Sequence, residues 1–207
     1  MKDNKVVLHN LEKVDLLTCI KNDDFLNKEI SYSNNEELTI KDMKISDCKF
    51  VNIDFSKIKL INVDFVNCIF DHCTLINVSL TRYGVNNLYF NNCKLLNIHM
   101  DQTSVKNLVI ENSSCRYLNF SFSNINGLVL KNSIVKESFF NQTYILNSEF
   151  DQLDLEGSEL LNMKIDSLDL STSNITKIKI NAYSLKGMSV NASQAINLIT
   201  ILGVKVK

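Results

Sequence analysis

The sequence predicts an all-β fold: a chain wound into four-sided coils, with an α-helix at its C-terminal end. Three observations predict it. From Ile40 to Val190 every fifth residue is apolar, 31 positions without a slip. At 45% hydrophobic composition, chance gives such a run with a probability of roughly 10⁻¹¹ if positions are independent. A second track two residues earlier, from Leu38 to Met188, holds only Leu, Met, Cys, Ile, Val, Tyr, Thr and Ser. Two residues after the central position, Asn recurs twelve times, from Asn52 to Asn162, and Gly stands at 127, 157 and 187. Neither the strand period of two nor the helical period of 3.6 produces a repeat of five.

Each pentad reads in, out, in, which is a very short strand. The two remaining residues must turn a corner, and Asn and Gly tolerate the left-handed backbone a corner needs. The central track is large, with eight of the 11 Phe on it. Asn, Lys, Asp and Glu fill the other three positions. Charge spacing tests the number of sides, because residues one coil apart stack at about 4.8 Å and like charges there repel. At a spacing of 20, opposite pairs (Lys44–Asp64, Glu111–Lys131, Lys131–Asp151, Lys136–Glu156, Glu159–Lys179, Asp166–Lys186) outnumber like pairs (Arg116–Lys136, Glu149–Asp169). Twenty residues make four sides, and residues 40–190 make nearly eight coils.

The ends differ. Residues 1–39 read as a cap, since an open solenoid end exposes unpaired strand edges. Ile20, Phe25 and Ile30 keep the register and Asn35 breaks it, while Leu8, Leu11, Val14 and Leu17 can form one helical face. Residues 191–207 change to helical spacing at Ala195, Leu198, Ile199 and Leu202. Asn191 or Ser193 caps the start, and Gly203 fits a left-handed stop. That face is expected to cover the last coil. Ile196 and Ile201 fall on other sides, so a homodimer is expected through Ile196, Leu198, Ile199, Ile201 and Leu202. The closing "VKVK" alternates as a short strand does.

Composition excludes several classes. Lys and Arg number 22 against 23 Asp and Glu, so no basic field points to direct nucleic-acid or membrane binding. No apolar run is long enough for a membrane helix, and the start lacks a signal-peptide core. A cytoplasmic protein is expected. Cys48 and Cys68, and Cys73 and Cys93, stand 20 apart as small core residues; stacked inward positions leave no room for tetrahedral zinc, and their spacing is too wide for disulfides. His9, His72 and His99 match no catalytic motif. No cofactor, no metal and no enzymatic activity are expected, because packing fills the interior and the outside is convex.

The stretches "FVNCIFDHC", "FNNCKLLNI" and "FDQLDLEGSEL" resemble the pentapeptide-repeat family, whose signature is roughly Ala-Asp/Asn-Leu-x-x. The resemblance covers about three quarters of the chain. It implies a right-handed quadrilateral β-helix. Leu88, Ile98, Leu108, Leu118 and Leu128 depart from it, standing where smaller residues are usual. The C-terminal tail resembles the helix of the quinolone-resistance branch, whose members are thought to mimic DNA and occupy the basic saddle of bacterial type II topoisomerases. That resemblance implies DNA gyrase or topoisomerase IV as partner; the alternative is a structural or adaptor rod with another protein partner. Between residues 149 and 169 lie seven acids against Lys164 alone. Glu149, Asp154 and Asp169 lack an opposite charge one coil away and are the expected partner-binding residues.

Overall fold

The computed structural model describes residues 5–34, 36–81 and 84–206. Asn35, expected to break the register, lies outside them, as does the side chain of Leu202. The chain is a right-handed parallel β-solenoid of about 9 turns with a C-terminal helix. On every side a strand residue pairs with the one a full coil later: Leu38↔Ile58, Val105↔Ile125, Phe70↔Phe90 and Leu75↔Leu95. The charge spacing and the backbone therefore agree on four sides.

The central track is the core. Of its 31 positions 27 are buried, and the exceptions are Leu60, Ile175, Leu185 and Val190. Three of these four lie at the C-terminal end, where the core thins. Stacking coils stacks rings: Phe50 on Phe70 at 4.9 Å, Phe70 on Phe90 at 4.7 Å and Phe120 on Phe140 at 5.1 Å. These separations match the strand spacing, so the coil pitch sets the ring contact.

All twelve corner Asn adopt the left-handed conformation, with φ between 48° and 56°. Their side chains continue the stack, as Asn97 Nδ2 donates to Asn77 Oδ1 at 2.8 Å and Asn107 to Asn87 at 2.8 Å. At Gly187 (φ 89°) a Cβ would stand 2.8 Å from the Asp166 carbonyl, so sterics as well as φ demand glycine there. The second track solves a different problem. Its serines are buried, and each hydroxyl must find partners. The Ser113 hydroxyl accepts from the Cys93 N–H at 3.0 Å and donates to the Glu111 carbonyl at 2.7 Å; Ser133 repeats the pattern, while Ser158 accepts from the Ser138 N–H and donates to the Val135 carbonyl of the preceding coil. Leu88, Ile98, Leu108, Leu118 and Leu128 fill the same track with buried apolar chains. All six cysteines are free and buried. Burial pushes the Cys48 thiol up to about 11 and that of Cys115 to about 12. Among the described residues no group of His, Cys, Asp or Glu is placed to hold a metal, and no helix is long and apolar enough to cross a membrane.

The N-terminal segment joins the stack. Lys28–Ser31 pairs with Lys49–Val51 at the usual offset, while Glu12–Asp15 pairs with Lys28–Ser31 across a shorter coil. This short coil holds helix α1 (Leu16–Asn22), whose start is capped by Asp15 accepting from the Leu17 N–H at 2.9 Å. Leu8, Leu11, Val14 and Leu17 are therefore not one helical face; Val14 is paired with Ile30 in a strand, and the cap starts the helix after it. At the other end the expected register slips. Tyr183 is 59% exposed, while Ser184 turns fully inward and its hydroxyl accepts from the Met163 N–H at 2.9 Å. A tyrosine is too large for a track that the neighbouring coils fill with Thr143 and Met163.

Candidate protein-binding surfaces

The acidic belt runs round the coil, with Glu159 on a third side after Phe139. Glu149 follows Val129 in one outward column, and Asp154 follows Ile134 in the next. Of the six ladders expected from spacing, two form ion pairs among the described residues, Lys136–Glu156 (2.9 Å) and Glu159–Lys179 (2.7 Å); Lys44–Asp64, Glu111–Lys131, Lys131–Asp151 and Asp166–Lys186 do not. Lys177 adds a second cation to Glu156 at 3.0 Å. The expected unpaired stripe, however, is neutralised at two of its three positions. Glu149 meets Lys131 at 2.9 Å, and Asp154 meets Lys136 at 2.9 Å. Both pairs run diagonally from one coil to the next, within reach of a long lysine but missed by counting only direct neighbours. Asp169 alone of the three has no cation within ion-pair distance among the described residues. The Ser171 side chain, and then the Ser171 N–H that donates to Asp169 at 2.8 Å, lower its pKa.

Helix α2 (Ala192–Ile199) closes the C-terminal end. Asn191 caps it: its side chain accepts from the Gln194 N–H at 3.0 Å, and Gln194 Oε1 accepts from the Asn191 N–H at 2.8 Å. This reciprocal box also aims the Gln194 amide at the solenoid, where Nε2 donates to the carbonyls of Leu170 (2.9 Å) and Ser173 (2.7 Å). The buried face of α2 is thus Gln194 and Leu198, not the expected set with Ala195 and Ile199, which are exposed. One amide satisfying two carbonyls outweighs a small methyl at this edge. Ile196 (54%), Ile199 (39%) and Ile201 (42%) face water. Gly203 takes the left-handed stop at φ 78°. Val204–Val206 forms no strand. A groove of about 600 Å³ separates α2 from Ser173–Ile178.

A third surface was absent from the sequence reading. One outward column runs Ile69, Tyr89, Val109, Val129, apolar where the repeat usually places polar residues. Residues at the N-terminal end lie along it. Lys5 Nζ is 2.7 Å from Glu111 Oε2 and 5.4 Å from the centre of the Tyr89 ring. The Tyr89 hydroxyl donates to the same carboxylate at 3.1 Å. The hydrogen bond to Glu111 raises the pKa of Lys5. His72 and His99, by contrast, stay on the surface beside Asp71 and Asp101.

A family model described as pentapeptide repeats matches residues 46–82, in 8 copies, and the same five-residue geometry extends through the coils on both sides. The fold is the right-handed β-solenoid of pentapeptide-repeat proteins, which this chain resembles. No curated protein matches the chain. Among solved structures, full-length QnrB1, a plasmid-mediated fluoroquinolone resistance protein, is 16% identical with a TM-score of 0.39, covering 83% of this chain and 100% of its own. HetL of Nostoc sp. strain PCC 7120, involved in heterocyst differentiation regulation, is 10% identical at 0.27, covering 89% and 94%. Rfr23 of the cyanobacterium Cyanothece 51142 is 9% identical at 0.22, covering 74% and 91%. Likeness at this level carries no argument about what the chain binds.

Proposed function

We propose that this chain is a non-enzymatic binding protein, a rigid rod that pairs with a second copy through α2 and presents its sides to a protein partner. The observation that carries the reading is the outer surface of α2. The sequence from Gly187 to Val204 carries no charge, and Ile196, Ile199 and Ile201 stand in water. A helix that only caps a rod normally turns charged residues outward. A two-fold partner buries the same residues on both copies. Light scattering at tens of micromolar tests it: the wild type is expected at dimer mass, and the double change Ile196→Lys, Ile201→Lys at monomer mass with the solenoid's circular dichroism unchanged. A wild type at monomer mass overturns the pairing.

A second reading, a DNA-mimicking interactor of DNA gyrase or topoisomerase IV, is favoured by Asp151, Asp166 and Asp169. Among the described residues none of the three has a cation within ion-pair distance. The neutralisation of Glu149 and Asp154 weighs against it, since phosphate mimicry needs open charge. A supercoiling assay decides. The reading requires inhibition by micromolar wild-type protein, weakened when Glu149, Asp154 and Asp169 are all changed to Asn. Supercoiling left untouched by the wild type removes the reading.

A further inference from the structure

The N-terminal segment carries information that neither reading uses. Val6, Val109 and Val129 are buried, at 8%, 1% and 8% exposure, yet they stand apart from the interior core. Val109 and Val129 point outward from their strands, so something outside must cover them. The segment that reaches them is residues 5–11. From Lys13 the register steps through Glu29, Lys49, Ile69 and Tyr89 to Val109. Five steps at about 4.8 Å make roughly 24 Å, and the extended chain from Lys13 back to Lys5 spans about 26 Å. The segment therefore runs as a strap along the rod axis.

The strap is lightly held. Residues 5–11 form no strand or helix, and among the described residues their backbone makes no hydrogen bond. Val7 is 67% exposed. Among the described residues the Lys5–Glu111 ion pair, the contact of Lys5 with the Tyr89 ring and the Val6 side chain anchor its end. Such segments open at low free-energy cost. What opens is a selective surface. Glu111 is 8% exposed, and a buried carboxylate that loses its cation demands another. Next to it Val109 and Val129 offer an apolar strip.

We propose that the stripe of Tyr89, Val109, Glu111 and Val129 is a docking site for an extended peptide in which a lysine precedes a β-branched apolar residue, and that Lys5 and Val6 occupy it in cis as a displaceable cover. A partner presenting that pattern competes with the strap, and its apparent affinity is lowered by the fraction of time the strap is down.

The test uses full-length protein and a fluorescent peptide with the sequence of residues 5–10, Lys-Val-Val-Leu-His-Asn, read by anisotropy. The double variant Lys5→Glu, Val6→Asp releases the cover and is expected to bind at least about tenfold more tightly than the wild type. Lys5→Ala, a milder opening that keeps Val6, should fall between them. Adding Glu111→Gln to the double variant should abolish binding, as should a peptide with Glu in place of its Lys. Equal affinity for wild type and released protein overturns the proposal. So does the absence of binding to both opened variants when their circular dichroism is native. The dimer mass of the wild type is measured separately and does not depend on this result.

Discussion

The two ends of the rod face the same problem and solve it with different chemistry. At the N-terminal end α1 buries Leu16 and Cys19, at 0% and 1% exposure, in one continuous core with Phe25 and Ile30. At the C-terminal end α2 buries only Gln194 and Leu198, over a coil whose central residues Ile175, Leu185 and Val190 are half-buried. The first seal is apolar. The second is made by an amide that satisfies the Leu170 and Ser173 carbonyls, which have no further coil above them. An apolar seal consumes its own hydrophobic residues. A hydrogen-bonded one leaves them on the outside, which is why the isoleucines of α2 stand in water.

The largest effect expected at either end is at the apolar seal. Leu16→Asp places an unpaired carboxylate in the core, at a cost of several kcal/mol, and should lower the melting temperature of the whole solenoid. Leu198→Asp, at a site near the surface, should leave that transition nearly in place and raise hydrogen exchange only over residues 175–190. Equal loss from the two changes would show that the ends are equally sealed and would break the comparison.

The sequence displayed the middle of the rod better than either end, for a physical reason. A solenoid has one interior and a constant corner, so the five-residue track, the corner asparagines and the coil-to-coil stack recur along its whole length, and repetition survives exceptions such as Leu60. The ends happen once. Nothing periodic announces the shortened first coil around α1, or the slip that turns Tyr183 out and Ser184 in. The acidic belt was legible as composition but not as charge, because Lys131 and Lys136 reach diagonally to Glu149 and Asp154. The strap joins Lys5 to Glu111, a carboxylate about half the chain away in sequence. Its one sequence signal was the apolar run at outward positions 69, 89, 109 and 129, one in each successive coil.

A smaller effect isolates the polar seal. Gln194→Ala removes both donors to the last coil and the reciprocal half of the capping box, costing about 1–2 kcal/mol. Water reaches the freed carbonyls at this end, which keeps the cost below that of an orphaned core group. The expected result is exchange of the Leu170–Ser173 region at a rate the wild type reaches only in denaturant, with the region of Leu16–Ile30 unaffected. Gln194→Glu should not restore protection, since a carboxylate cannot donate to a carbonyl. Full protection in Gln194→Ala would assign the seal to Leu198 alone.

The smallest effect is electrostatic and lies where the middle meets the C-terminal end. Glu156 bridges Lys136 and Lys177, at 2.9 and 3.0 Å. The hydrogen bond to Lys136, then that to Lys177, holds its pKa down to about 2 from the ordinary 4.5. A carboxylate depressed on folding contributes stability that is fully present above its unfolded pKa and is lost as pH falls through its folded one. The contribution should therefore be intact at pH 6 and should drain away between about 4.5 and 2. The clip ties the coil holding Lys136 to the one holding Lys177, beside the groove under α2, so its loss should loosen the C-terminal end first. Exchange over residues 174–178 is expected to rise on acidification in the wild type. In Glu156→Gln it should already be raised at pH 6 and change less. The other carboxylates titrate in both proteins, so the difference between them reports Glu156. Parallel pH profiles would mean that this exposed clip adds nothing, and that the C-terminal end rests on Gln194 and Leu198 alone.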